Sequence, residues 1–323
     1  MKTDTFSSEH CENDPQTMSR FYAALPEAVG ALVASSGKED SFDQLNATPA
    51  IPQEAVIDII FQARRILFPG YFIQSRLNIF NLEYYLGKET TELFEKLSKL
   101  IILAIRHDCI QHGQACSQCT EQGHERALEF IELLPRIRAV LSTDVHAAYE
   151  GDPAAKSYDE IILSYPGLFA ITVYRMAHEL YGMGISLLPR MMSEYAHGLT
   201  GIDIHPGARI GKNFFIDHGT GVVVGETTEI GDRVRIYQGV TLGALSLSSD
   251  QIEAFRSKKR HPTLESDVVI YSNATLLGEK AVIGARSIIG GNVWITDAVP
   301  PDTKVLLKQP ELVYIGNNRK TEP

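Results

Sequence analysis

Little in this chain points to a special compartment or to a strongly charged partner. Four cysteines in 323 residues are too few for a disulfide scaffold, and a reducing interior is expected to keep them as thiols. No run of eighteen apolar residues occurs. Apolar stretches such as Leu100 to Ile105 and Leu168 to Val173 are far too short to span a bilayer. The opening MKTDTFSSEH lacks the apolar core of a secretory signal, so the expected address is the cytoplasm. Positive charge is in deficit: 30 Lys and Arg stand against 40 Asp and Glu, for a formal charge of -10. That removes the electrostatic footprint of a nucleic-acid or anionic-membrane binder. Also missing are GxGxxG after a strand, GxxxxGK[ST], HExxH and GxSxG, which leaves nucleotide phosphate cradles and the hydrolase serine elbow without support.

What remains is a globular chain, 44% hydrophobic, long enough for two domains. Residues 1–50 are rich in Ser, Thr, Asp, Glu, Asn and Pro and read as a poorly ordered leader with one weak helix over the apolar stretch Phe21 to Val33. From Pro52 apolar residues recur at steps of three and four: Ala55, Ile57, Ile59, Ile60 and Ala63; Leu93, Leu97, Leu100, Ile101 and Ile105; Ala127, Phe130, Ile131, Leu134, Ile137 and Val140. This spacing predicts amphipathic helices. Two more are expected over Gly167 to Tyr181 and Ile185 to His197, closed by Gly182 and Gly198.

After Gly201 the helical period gives way to a period of six. Ile204, Ile210, Ile216 and Val222 form one series. After a two-residue slip Ile230, Ile236 and Leu242 form a second. Leu264, Ile270 and Leu276 form a third, and Leu277, Ile283, Ile289 and Ile295 a fourth. Gly211, Gly231, Gly243, Gly278, Gly284 and Gly290 follow six of these anchors directly, where a small residue is expected to let the backbone corner. One buried aliphatic per short side describes a β-solenoid. The stretch from Ala244 to Pro262 breaks the period, ends in the basic cluster Lys258-Lys259-Arg260-His261, and must loop out of the repeat.

Chemistry is expected where polar residues interrupt this regularity. Asp203 and His218 are fifteen apart, which puts a carboxylate and an imidazole on adjacent rungs, and such a pair suits a general base near neutral pH. Arg260 and His261 could hold a carboxylate. Asp152, in the helix-breaking Gly151-Asp152-Pro153, reads by itself as a turn or helix N-cap residue more readily than as a ligand. Cys116-Ser-Gln-Cys119, with His107, Cys109, His112 and His124 nearby, has metal-ligand spacing; without a second CxxC, reduced thiols at a helix junction are the more economical reading.

The stretch GIDIHPGARIGKNFFIDHGTGVVVGE (201–226), with YQGVTLGA (237–244), RHP (260–262) and GDPAAKSYDEIILSYPGLFAITVYRMAHELY (151–181), closely resembles the serine O-acetyltransferases. The resemblance covers about residues 140–305. It implies an α+β chain in which an N-terminal helical domain carries a left-handed parallel β-helix of hexapeptide repeats with an extruded loop. The expected divisions are a leader (1–50), a helical domain (51–200), a β-helix (201–305, loop 244–262) and a tail (306–323). It further implies homotrimers or dimers of trimers with active sites between neighbouring β-helices, acetyl-CoA as co-substrate with no tightly bound cofactor, and L-cysteine as a feedback inhibitor. By the same resemblance His218 is similar to the family's general base and Asp203 to its orienting partner. Asp152 and Asp217 are similar to the carboxylates around the serine amine and hydroxyl, and Arg260 and His261 to the pair receiving its carboxylate. Ala244, Ser272, Asn273, Gly290, Gly291 and Lys308 correspond to turns that line the acetyl-CoA groove. A thioester is already an activated acyl donor, so positioning, one base and oxyanion stabilisation suffice without a covalent enzyme intermediate.

The loop after Ala244 is longer than the short glycine-rich one of the enterobacterial type. The end at Pro323, in place of the isoleucine that inserts into cysteine synthase, predicts no tight complex of that kind. Three other readings compete: a hexapeptide acyltransferase for a sugar or another amine, a zinc enzyme of the γ-carbonic anhydrase type using His205, His218 and His261, and a silent trimeric scaffold. The Asp-His pair and the basic loop argue against the scaffold.

Overall fold

The computed structural model describes residues 15–38, 42–43, 45, 50–74, 76–115, 117–246 and 258–308. By compactness the chain divides into two units, Met1–Thr48 and Pro49–Pro323. In the first, α1 (Pro15–Ser35) is longer than the stretch expected from Phe21 to Val33. Its Phe21, Leu25, Val29 and Leu32 are exposed.

The second unit begins with six helices: α2 (Gln53–Leu67), α3 (Leu82–Gln111), α4 (Cys119–Gly151), α5 (Tyr158–Ser164), α6 (Pro166–Gly182) and α7 (Leu188–Thr200). The predicted periodicity does what it should: Ile59, Ile60, Leu93, Leu97, Ile101, Phe130, Leu134 and Ile137 are all buried. Local stop signals are less simple. Helix α7 runs through Gly198 and is capped by Gly201 at φ +69°, the left-handed conformation that glycine adopts without a Cβ penalty. Cys116 lies outside the described residues. Cys119 is disulfide-bonded, which corrects the expectation of reduced thiols there, and free Cys109 lies with its Sγ 3.7 Å away. The imidazoles of His112 and His124 turn back onto the carbonyls of Asp108 and Thr120 in their own helices, so these rings do not converge on the sulfurs.

From Asp203 the chain winds as a left-handed β-helix of about five turns. One side, A, stacks β1 (Asp203–Ile204), β4 (Val223–Val224), β7 (Thr241–Gly243), β10 (Thr275–Leu277) and β13 (Trp294–Ile295). Side B stacks β2 (Arg209–Ile210), β5 (Glu229–Ile230), β8 (Thr263–Leu264) and β11 (Val282–Ile283). Side C stacks β3 (Phe215–Asp217), β6 (Arg235–Tyr237), β9 (Val269–Ile270), β12 (Ile288–Ile289) and β14 (Lys304–Val305). All pairs are parallel. One continuous apolar core runs from Val56 in α2 to Val299 at the end of the β-helix, so the helices and the solenoid are stabilised together.

Two details of the repeat differ from the expected ones. The register pairs Ile204 with Val224 and Val224 with Leu242, so the two-residue slip falls between Ile216 and Val224, in the corner containing His218. Likewise Leu276, not Leu277, faces inward opposite Ile295. Of the glycines behind the anchors, Gly278 does turn the chain, at φ +89°, but Gly211 and Gly284 serve another need. A Cβ at Gly211 would lie 2.7 Å from the Gly231 carbonyl, and one at Gly284 would lie 2.3 Å from Pro301 N; these positions are bare because the next rung passes there. The turning is done further on, by Asn213, Arg233, Asp267 and Arg286 on one edge and by His218, Asn273 and Asn292 on another, all at φ between +56° and +66°. Asn, Asp and His tolerate this region better than most residues.

A buried ion pair joins helices to solenoid. Arg175 of α6 donates to both carboxylate oxygens of Asp144 in α4 at 2.6 and 2.9 Å, and also to the carbonyls of Ile210 and Gly211. Asp144 accepts in turn from the Phe214 amide. Removing one partner strands the other charge in the core, so Arg175→Met is expected to cost about 3–5 kcal/mol of stability in a denaturant titration.

Candidate active site

Of the six residues expected to carry catalysis and substrate binding, five fall into two groups on different edges of the prism, and the sixth, Asp203, begins side A. The first group lies where side C turns into side A. His218 opens that corner at φ +58°, and its Nε2 stands 3.8 Å from Asp217 Oδ1. Helix α4 ends against the same place and delivers Asp152. Asp152 Oδ2 accepts from the Tyr165 hydroxyl at 2.6 Å and Oδ1 from the Ala154 amide at 2.8 Å. Arg235 donates to the Gly151 carbonyl at 2.8 Å, and a Cβ at Gly151 would lie 2.6 Å from its guanidinium; this close approach seats Asp152. The Tyr165 hydroxyl, then the Ala154 amide, hold the Asp152 carboxyl below its ordinary value. Burial, opposed by His218 and reinforced by Asp152, pushes the Asp217 carboxyl up.

Asp203 is not part of this group's ion pairs. Its carboxylate gathers with Glu194 and His197 at the end of α7, ligand atoms within 4.8 Å of one another, while the ion-pair partner of His218 among the described residues is Asp217. The corner between Asp203 and Val223 that His218 opens carries two extra residues.

The second group lies where side A turns into side B. The loop after Ala244 leaves from this edge, and its exit is pinned to the rung above: Lys259 Nζ donates to the Thr227 carbonyl at 3.0 Å, and the amides of Arg260 and His261 donate to Thr227 Oγ1. Arg260 is paired with Glu226, which also accepts from the Tyr181 hydroxyl at 2.8 Å. Burial opposes the Glu226 charge, but the bonds from Tyr181 and Arg260 outweigh it and hold the carboxyl below its usual value. His261 is buried against Gly225, where a Cβ would come within 2.1 Å of its ring. Its Nδ1 accepts from the Thr227 amide, and burial, then Arg260, lower its pKa to about 4. At neutral pH His261 is therefore an uncharged imidazole with a proton on Nε2, and the positive charge beside it is carried by Arg260 and Lys259.

Of the residues expected along the acetyl-CoA groove, Ser272, Asn273, Gly290 and Gly291 stack beneath His218. Gly239 N–H donates to the Thr220 carbonyl, Asn273 to Gln238 and Asn292 to Ser272, rung after rung. The lowest is three rungs, roughly 15 Å, below His218. Lys308 follows β14 just beyond, whereas Ala244 belongs to the other edge. Tyr165, Arg235, Glu226 and Tyr181 had no role in the sequence reading; only the structure shows which charged residues they hold. His205, His218 and His261 do not meet within one chain, since His218 stands on one edge and His261 on the other.

No protein-family model matches the sequence. The chain is 46% identical over 266 residues to the plasmid serine acetyltransferase of Synechococcus elongatus, an alignment covering 80% of this chain and 81% of that one. It is 43% identical over 181 residues to the serine acetyltransferase of Bacillus licheniformis, covering 56% and 79%. Among solved structures, Entamoeba histolytica serine acetyltransferase 1 in complex with L-cysteine superposes with a TM-score of 0.67 at 37% identity over 80% of this chain and 87% of that one. Neisseria gonorrhoeae serine acetyltransferase in complex with serine superposes with a TM-score of 0.51 at 25% identity, over 83% and 100%.

Proposed function

Because the chain belongs to the serine acetyltransferase family, we propose that its two edge groups are halves of one active site, completed by a neighbouring copy of the chain. The protein transfers the acetyl group of acetyl-CoA to the hydroxyl of L-serine, giving O-acetyl-L-serine and CoA for cysteine biosynthesis. The observation carrying the shared site is the distribution of charge. Asp152, Asp217 and His218 line one edge, Arg260 and His261 the next, at similar height, with a six-residue side of roughly 15–20 Å between them. One small amino acid cannot bridge that width. Side A, between the edges, presents Val223, Thr241, Thr275 and the exposed Trp294 to its outer surface in one column with Asp203 of β1, and beyond that one acid this face has the uncharged character expected of packing around a threefold axis.

In the joined site, Asp152 and Asp217 receive the serine ammonium. Arg260, oriented by Glu226, and the Nε2–H of His261 receive its carboxylate. Nε2 of His218 takes the hydroxyl proton as that oxygen attacks the thioester carbonyl. The tetrahedral intermediate expels CoA thiolate, which recovers the proton from the imidazolium. The corner column of Ser272, Asn273, Gly290 and Gly291, with Lys308 below and Ala244 from the facing edge, lines the groove for the CoA arm; small residues let the arm lie close to the backbone. L-cysteine shares the serine amine and carboxylate and competes for the same groups. The cytoplasm, where acetyl-CoA and serine meet, is the proposed address.

The test is a thiol-release assay with purified protein, acetyl-CoA and L-serine. Serine-dependent CoA release that a chelator leaves unchanged and L-cysteine suppresses is the expected result. Release with a sugar or another amine but not with serine would overturn the substrate assignment.

A further inference from the structure

We infer that Tyr165 is a positioning residue that assigns Asp152 its role as the charged receptor for the substrate ammonium, through the 2.6 Å hydrogen bond from its hydroxyl to Asp152 Oδ2. The inference rests on the proposed contact between Asp152 and the serine amine. Two carboxylates, Asp152 and Asp217, face the same histidine, and neighbouring like charges drive one of such a pair toward its protonated form. The protein must decide which one stays ionised. Asp152 collects the Tyr165 phenol and the Ala154 amide, whereas Asp217 is more deeply placed and lies in the field of Asp152. The phenol can serve throughout the working pH range, because burial and then Asp152 push its own ionisation far above the ordinary tyrosine value.

Tyr165 is well placed for this duty by its backbone. It sits between α5 and α6 at φ -77° and ψ 119°, the extended conformation demanded by Pro166, and its amide donates to the Ile161 carbonyl at 3.1 Å. Asp152 in turn terminates α4, with its amide bonded to the Ala148 carbonyl. The phenol therefore spans two rigid helix ends directly above β3. The charged and titratable groups facing Asp152 are Tyr165 from the α5–α6 junction, Asp217 and His218 from β3 and its corner, and Arg235 from β6; Glu160 of α5 lies toward Tyr165.

Steady-state kinetics of Tyr165→Phe against pH, beside Asp152→Asn and the unmodified protein, test the assignment. Losing the donor should raise KM for serine roughly tenfold at pH 7.5, with kcat and KM for acetyl-CoA within about twofold. Because the Asp152 carboxyl would then take up a proton at higher pH, the acid limb of kcat/KM for serine should move upward. A Tyr165→Phe enzyme whose KM for serine and acid limb both match the unmodified protein, while Asp152→Asn raises KM, would reduce Tyr165 to packing and overturn the inference. If Asp152→Asn itself leaves KM for serine unchanged, the Asp152 assignment fails, and the inference falls with it.

Discussion

Serine-dependent CoA release is expected to fall by about a hundred- to ten-thousand-fold when His218 is replaced. Alanine removes the base but also forces a Cβ residue without a polar side chain into φ +58°; asparagine tolerates that backbone and is the cleaner substitution. His218→Asn should therefore unfold at the same denaturant concentration as the parent and retain KM for acetyl-CoA while losing kcat. The side chain of His218 is 72% exposed in one chain, so the ring is in no way required for the core, and a large fall in kcat without a fall in stability isolates its chemical role. A His218→Asn enzyme with unchanged kcat would remove the base from this corner. The same assay ranks the two candidate acids beside it. Asp217 is the carboxylate in ion-pair reach of the imidazole, and Asp217→Asn is expected to lower kcat more than Asp203→Asn, whose carboxylate sits with Glu194 and His197. The reverse order would mean that Asp203 turns to the ring when substrate binds.

The β-helix was legible because each inward aliphatic is fixed by a local rule: a six-residue side has one inward-facing anchor, and the next rung repeats it. Interruptions were less legible. A slip of two residues can be detected from spacing, but spacing alone does not say whether the extra residues precede or follow Val222. The difference moves His218 from a regular corner to an enlarged one. Glycine was read for conformational freedom where it serves close passage, as at Gly211 and Gly284, because both needs leave the same residue in the sequence. Of the charged groups, His218, Asp152, Asp217, Arg260 and His261 could be singled out from motifs. Their partners Tyr165, Arg235, Tyr181 and Glu226 could not, since each reaches its target across between 13 and 84 residues of sequence. The charge on His261 was also beyond a sequence reading: its neutrality comes from burial against Gly225.

The proposed division of the site between two edges predicts a result that no single-chain mechanism shares. His218→Asn destroys the half-site on the side C to side A edge and leaves the other intact; Arg260→Gln does the opposite. Each variant alone should be inactive for serine acetylation. Co-expressed at equal levels and assembling at random into threefold rings, they form mixed rings three times in four, and each mixed ring contains one junction where an intact His218 edge meets an intact Arg260 edge. One site in three of those rings works, so the mixture should recover roughly a quarter of the parent activity. Mixing the two purified proteins without subunit exchange should recover nothing, which separates shared sites from simple addition of residual activities. If each chain instead built its own site across side A, co-expression would give no more than the sum of the two variants. The two variants also lie outside the described joints that hold the core, unlike Asp144 and Arg175, so assembly can proceed with either edge disabled. Recovery of activity in the mixed rings would then require that catalysis and substrate recognition come from different copies of the same chain.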